Sequence, residues 1–233
     1  VGRWAGINTR TRLAEMTTNV QFEVAGARLE HPDMMEFYFG SKVAPKGYVW
    51  VFPKGDDLAN VGVGIRGTQG TALAYLQRFL EAHEGLGRGK VVGIVAGGVP
   101  VEGPMERSVA DNVLLVGDAA RQVDPLTGGG IYNAMYCATL AADVIKAGLE
   151  KGDLSAQFLM EYHRRWWAGV GQGLLRSLRV KEALEKMRDE DLDAIARAMR
   201  GLQLGDVDIK DVSSVMLSLP PELVSFVQGL MGG

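Results

Sequence analysis

Hydrophobic and polar residues alternate with a period of two through much of the N-terminal half. Val20, Phe22 and Val24 alternate with Gln21 and Glu23, and Phe37 and Phe39 with Glu36 and Tyr38; runs beginning at Tyr48 and Val61 follow. Successive side chains in such runs point to opposite faces, which predicts half-buried antiparallel strands forming one middle sheet. Leu73, Leu76, Phe79 and Leu80 then recur at helical spacing, and Lys90 to Val95 read as a further strand. Val113 to Val116 form an apolar run bounded by turn residues, which predicts a buried strand, and a helix of small residues follows it to near Ala147. Beyond Leu149 the spacing is helical in Phe158, Leu159, Tyr162 and Trp166, in Leu192, Ile195 and Met199, and in Leu223, Phe226, Val227 and Leu230. Gly169, Gly171 and Gly173 loosen one of these helices, and Pro220-Pro221 starts the last. There is no internal repeat and no low-complexity linker. The pattern is that of an α+β protein.

Composition narrows this only modestly. A chain of 233 residues, 47% of them hydrophobic, can bury a real core as one large domain or two small ones. A net charge of −3 argues against a nucleic acid as the main partner. No apolar run has the length of a membrane span and no signal peptide is visible, which suits a cytoplasmic protein or one peripheral at a membrane surface. Cys137 is the only cysteine, so an intrachain disulfide is excluded; among Ala134, Ala138 and Ala141 it reads as an inert buried thiol. His31, His83 and His163 lack ligand spacing, so no metal site is expected.

The chemistry concentrates between Asn112 and Ile131. Gly117 lets the backbone end the predicted strand with Asp118 pointing out of its carboxyl end, where a carboxylate can accept hydrogen bonds from the hydroxyls of a sugar-like chain. Pro125 fixes a loop, and Gly128, Gly129 and Gly130 leave bare N–H groups at the start of a helix, where the dipole favours negative charge. An anionic reduced flavin suits such a site. A capped strand-to-helix turn packed against a neighbour is the other reading, and the order Asp, Pro, three glycines favours the flavin.

A second glycine motif is a decoy. Gly62-Val63-Gly64-Ile65-Arg66-Gly67 fits the dinucleotide fingerprint Gly-x-Gly-x-x-Gly, yet Val61, Val63 and Ile65 alternate straight through it. The glycines therefore continue a strand and permit close approach of another group. In the Tyr48 run the period of two puts Tyr48, Trp50 and Phe52 on one face and Val49 and Val51 on the other. Three rings on one face are either ordinary core or the wall of an apolar cavity. Arg164, Arg165, Arg176, Arg179 and Lys181 read equally as a solvated helical face or as a phosphate contact.

The segment from Gly117 to Ile131 closely resembles the second FAD-binding motif of the para-hydroxybenzoate hydroxylase-like flavoproteins. Tyr48-Val49-Trp50-Val51-Phe52-Pro53-Lys54, followed by Val61 to Gly64, resembles a segment of the geranylgeranyl reductase family. Gly97-Gly98-Val99-Pro100 and Gly103-Pro104 stand where that family has a Gly-x-x-Pro connection into the flavin motif. The resemblance is strong from about Gly47 to Ala142 and looser over the helical tail, and it is to the digeranylgeranylglycerophospholipid reductase type. One departure stands out. The family opens with a strand, a Gly-x-Gly-x-x-Gly turn and a helix that hold the ADP half of FAD, and this chain begins instead at Val1-Gly2-Arg3-Trp4. The resemblance therefore implies a C-terminal portion lacking on the order of a hundred or more residues, and inactive by itself.

On that resemblance, residues 1–18 and 105–150 are the remainder of an FAD-binding α/β domain, 19–104 an antiparallel-sheet substrate domain, and 151–233 a helical region. Gly117, Asp118, Pro125, Gly128, Gly129, Gly130 and Ile131 are the implied cofactor contacts, and Tyr48, Trp50, Phe52 and Lys54 the implied substrate contacts. The implied reaction saturates C=C bonds of geranylgeranyl chains on an archaeal membrane-lipid precursor: reduced FAD delivers hydride to one alkene carbon while a proton reaches the other. Tyr48 and Tyr132 are the candidate proton donors by position, alongside solvent. Ferredoxin, a nicotinamide or a deazaflavin are the candidate electron donors. An FAD-dependent aromatic hydroxylase is the alternative enzyme, and a hydrophobic-ligand binding fragment the alternative without catalysis.

Overall fold

The structure is a computed structural model, and it describes residues 1–198 other than Asp56 and Gln69. The expected helix around Leu223 to Leu230 and its Pro220-Pro221 start lie outside the described residues. The architecture is α+β. A five-stranded antiparallel sheet has the order β2-β3-β4-β1-β5, with β1 Met16–Ala25, β2 Glu36–Tyr38, β3 Tyr48–Pro53, β4 Leu58–Ile65 and β5 Lys90–Pro100.

The register of this sheet sorts its residues onto two faces. Val20 pairs with Val63, Phe22 with Val61, Val49 with Val63 and Val51 with Val61, so these apolar side chains fall on one face. That face packs on α1 (Ala72–Ala82), whose Leu76 is fully buried and whose start is capped by the Thr71 hydroxyl accepting from the Ala74 N–H at 3.2 Å. Removing this much aliphatic area from water is the main force holding the sheet to its helix. The other face carries Tyr48, Trp50, Phe52 and Phe37 on β3 and β2, and Gln21 and Glu23 on β1.

Two strands differ from their sequence reading. β5 runs through Gly97-Gly98-Val99-Pro100, where a connection was expected, because Met16 to Ala25 is long enough to pair it along its length. It is an edge strand with a single neighbour, so Ile94 and Val95 stay 66% exposed. The expected strand at Val113 to Val116 shrinks to β7, Val113–Leu114, paired with β6, Val109–Ala110, in a two-stranded ladder. Without a wider sheet beside it, the chain turns away once the Leu115 N–H has reached the Ser108 carbonyl at 2.8 Å.

Helices make up the rest. α2 (Ile131–Lys151) extends past Ala147 to a Gly152 stop at φ +71°, and α3 (Ala156–Trp166) passes through a π-helical turn at Trp167–Gly171 into α4 (Gln172–Leu184) and then α5 (Asp189–Ala198). Their core holds Cys137, Val144, Leu159, Tyr162 and Trp166. Burial pushes the Cys137 thiol up to about 11, which leaves it protonated and unreactive at neutral pH. Among the described residues no helix is long and apolar enough to cross a membrane.

Candidate functional site

The turn after β7 is built from the inside outward. Gly117 sits at φ +68°, a left-handed conformation that a side chain would strain, and it opens a short 3-10 turn to Ala120. Its N–H donates to Gln122 Oε1 at 2.7 Å; Gln122 Nε2 donates to the Tyr162 hydroxyl at 2.8 Å, and that hydroxyl donates to the Leu115 carbonyl at 2.9 Å. Gln122 and Tyr162 are fully buried, so α3 braces the turn from below. Asp118 stands exposed above it, and its carboxylate makes no hydrogen bond among the described residues.

Gly130 adjoins that carboxylate. A Cβ there would lie 3.0 Å from Asp118 Oδ1 and 3.2 Å from Val123, and the residue precedes α2 without any side-chain cap. The first N–H groups of α2 are therefore open at the positive end of a long helix dipole. Around them Ile131 and Tyr132 are 81% and 77% exposed. Hydrogen-bonding capacity for hydroxyls, uncapped amides for a negative edge, and apolar surface beside both fit a flavin.

The loop itself corrects one expectation. Gly128 and Gly129 do not present bare N–H groups: the first donates to the Asp124 carbonyl at 2.8 Å and the second to Thr127 Oγ1 at 3.1 Å. The donors left over are those of Gly130 and the first turn of α2. Asp124, which the motif reading passed over, organises the loop. Its Oδ1 accepts from the N–H groups of Leu126 and Thr127, both at 2.9 Å, its Oδ2 accepts from the Ser177 hydroxyl of α4 at 2.6 Å, and its N–H donates to the Gly129 carbonyl at 2.9 Å. An Asp followed by Pro-x-Thr at a turn is the signal that could have found it. Pro125 is buried within this loop.

The aromatic face meets the loop directly. Tyr48 donates its hydroxyl hydrogen to the Thr127 carbonyl, and Gly128 lies against Val99 of β5, 3.9 Å from where its Cβ would be. Burial and then the nearby Asp124 charge raise the Tyr48 phenol above its ordinary range, so it stays protonated and keeps donating. Trp50 and Phe52 continue the row, with centroids 5.8 Å from Tyr48 to Trp50 and 6.4 Å from Trp50 to Phe52. Phe37 and Phe39 complete it: Phe37 lies edge-on, 5.7 Å from Tyr48 and 5.6 Å from Phe52, and Phe39 lies tilted, 5.8 Å from Tyr48. Their alternation around Tyr38 was visible in the sequence, but the hairpin pairing that brings them to Tyr48 was not.

The other expected residues differ in their settings. Lys54 is half-exposed and donates to Glu23 Oε1 at 2.5 Å, at the far end of the aromatic row from the loop. Tyr132 projects into solvent from the first turn of α2. Lys181 is buried and donates to Glu15 and to the Val101 carbonyl, both at 2.7 Å, which removes it from any surface anion site; Arg164 and Arg165 pair with Glu161. Gly62 does not open a phosphate turn: its missing side chain makes room for the Trp50 indole. One cavity, of about 920 Å³, lies between α2 and α3 beside Arg107, Lys151 and Arg164, away from the aromatic face. A smaller one of about 450 Å³ lies behind the loop, lined by Asp124, Leu126, Asn133, Leu174 and Ser177. The candidate site is placed at the turn because the carboxylate, the open amides and the aromatic face converge there.

Comparison with known proteins adds an independent line. Residues 15–99 match the geranylgeranyl reductase catalytic domain. The chain is 44% identical over 227 residues to a digeranylgeranylglycerophospholipid reductase of Methanothermobacter thermautotrophicus, covering 96% of this chain and 57% of that protein. It is 39% identical to the corresponding enzyme of Methanocaldococcus jannaschii, with 99% and 59% covered. The chain thus spans a little over half the length of the curated relatives it matches. Among solved structures, a geranylgeranyl bacteriochlorophyll reductase-like protein from Thermoplasma acidophilum superimposes with a TM-score of 0.87 at 34% identity, covering 98% of this chain and 58% of that one. A probable FAD-dependent monooxygenase from Pseudomonas aeruginosa shares the fold at a TM-score of 0.54 and 23% identity, with 79% and 53% covered.

Proposed function

This chain belongs to the geranylgeranyl reductase family, and on that premise we propose that it forms the substrate wall and the isoalloxazine side of an FAD-dependent reductase of geranylgeranyl C=C bonds. The substrate class is a prenylated membrane-lipid precursor of the archaeal digeranylgeranylglycerophospholipid type. Residues 1–18 and 105–150 take the cofactor side, 19–104 the substrate side, and 151–198 the helical support, the remainder of the expected helical region lying outside the described residues. The observation that carries the reading is the Tyr48 to Thr127 hydrogen bond, which joins an open row of aromatic rings to the glycine turn.

Each group has a physical task. Asp118 accepts hydrogen bonds from the cofactor's hydroxyl chain, and the open amides of Gly130 and Ile131 at the α2 start favour a negatively charged edge. FAD, when bound and reduced, supplies the hydride. Trp50, Phe52, Phe37 and Phe39 bury an isoprenoid chain, exclude water and hold it in register, which is the contribution an unactivated alkene needs because it offers no carbonyl to polarise. Tyr48 is tied to the loop through its own hydrogen, so its task is to fix the wall against the turn. Tyr132, exposed on the cofactor side, is the phenol left to move a proton.

The test joins this chain to the part of the Methanothermobacter thermautotrophicus relative that it leaves uncovered. Dithionite-reduced flavin in that protein is expected to be reoxidised anaerobically by a geranylgeranyl lipid, with a product heavier by a pair of hydrogens for each bond saturated. Failure of any prenyl lipid to reoxidise it, with oxygen-dependent hydroxylation of a small aromatic instead, would replace this reading by the hydroxylase.

A further inference from the structure

We propose that Asp124 is the positioning residue of the cofactor turn and that Ser177 of α4 holds it in place, so that α4 sets where the turn meets the aromatic face. The proposal rests on the flavin reading above. Asp124 closes both ends of its loop: its carbonyl accepts from the Gly128 N–H and its N–H reaches the Gly129 carbonyl, at 2.8 and 2.9 Å. One carboxylate oxygen gathers the Leu126 and Thr127 amides, and the other takes the Ser177 hydroxyl from a helix 53 residues away in sequence. Thr127 is the next link. Its amide is held by Asp124, its hydroxyl oxygen receives the Gly129 N–H, and its carbonyl receives the Tyr48 hydroxyl. A displacement of the carboxylate therefore moves the Thr127 carbonyl, and with it both the glycine turn and the phenol that anchors the aromatic row.

The arrangement is stiff for a definable reason. No cation forms a salt bridge with Asp124 among the described residues, so three donated hydrogens hold its charge, and charge-assisted bonds of this kind are directional and short. The α4 end is equally constrained. Gly169 of the π-helical turn that leads into α4 packs so closely on Tyr136 of α2 that a Cβ would lie 2.7 Å from its hydroxyl, which fixes α4 relative to the helix that carries the cofactor amides.

Replacements of graded severity test this. Asp124→Asn keeps an acceptor for both amides and removes the charge, Asp124→Ala removes everything, and Ser177→Ala removes only the α4 bond. In the 233-residue chain, amide exchange at Leu126 and Thr127 is expected to rise about tenfold in Asp124→Ala and to return near the wild-type rate in Asp124→Asn. In the protein joined to its relative's uncovered part, flavin affinity is expected to fall roughly tenfold or more in Asp124→Ala and to be rescued to within a few-fold by Asn. Ser177→Ala is expected to lower kcat several-fold with the lipid KM unchanged, since alignment suffers and the wall does not. If Asp124→Ala fails to fold, Ser177→Ala decides alone. Wild-type exchange rates in Asp124→Ala, or a lower melting temperature with flavin affinity and kcat intact in either alanine variant, would overturn the proposal. A wild-type protein that holds no flavin would retire the flavin reading and this role together, whereas a flavin-loaded wild type with unaffected variants would retire Asp124 alone.

Discussion

Gly62 carries no side chain, and the space this leaves is filled by the Trp50 ring, 2.2 Å from where a Cβ would sit. The ring is also fixed by its Nε1 donating to Gln21 Oε1 at 3.0 Å across the sheet. Gly62→Ala is therefore predicted to expel the indole from its groove and break that bond, at about 1 to 3 kcal/mol of stability. A urea titration with tryptophan fluorescence checks this, and an unshifted emission maximum with unchanged stability would show that the ring is not seated there. Asp118 presents the opposite case, a residue whose carboxylate makes no hydrogen bond or ion pair among the described residues. Asp118→Ala is predicted to leave the melting temperature unchanged and to weaken flavin binding roughly ten- to a hundredfold in the protein joined to its relative's uncovered part. A loss of stability with flavin content per folded molecule intact would return Asp118 to the role of a turn cap.

The 3-10 turn at Gly117–Ala120 depends on α3 through Gln122 and Tyr162. Gln122→Leu leaves the Gly117 N–H without its partner in a buried place and leaves the Tyr162 hydroxyl with one bond fewer. An unsatisfied buried donor costs about 1 to 3 kcal/mol, and the predicted result is a loss of that order in denaturant midpoint together with faster exchange of the Gly117 amide. Unchanged exchange would show that the brace is redundant. The strands show why burial cannot be read from alternation alone. β3 and β4 alternate, and α1 covers one of their faces; β5 is just as apolar but sits at the edge with only β1 beside it. An uncovered edge of that length is a place for pairing with another strand.

At the scale of the whole molecule, a buried ion cluster ties the sheet to the helices. Arg66, at the end of β4, donates to Glu15, to the Ala14 carbonyl and to Glu185 after α4, while Lys181 of α4 donates to Glu15 and the Val101 carbonyl. Burial works to raise the Glu15 carboxyl, but Lys181 and Arg66 outweigh it and hold it below its ordinary value. A depressed carboxylate contributes stability that is complete above its unfolded pKa, about 4.3, and is lost as pH falls through the lower folded value. Thermal stability is thus predicted to drop more steeply below about pH 4 in the wild type than in Glu15→Gln, and parallel pH profiles would remove Glu15 from the cluster's energetics. Taken alone, the sequence determined the α+β class, the strand character of Val61 to Ile65 against its fingerprint match, the shared face of Tyr48, Trp50 and Phe52, and the turn at Gly117 and Asp118. These are local: period, glycine placement and turn chemistry act over a few neighbouring residues. Only the tertiary structure decided that Phe37 and Phe39 extend the wall, that Lys181 is buried, that two of the three loop glycines use their amides internally, and that Tyr48 meets Thr127 while Ser177 meets Asp124. Each of these depends on segments far apart in the chain whose approach is set by sheet register and helix packing, and no local pattern encodes such a distance.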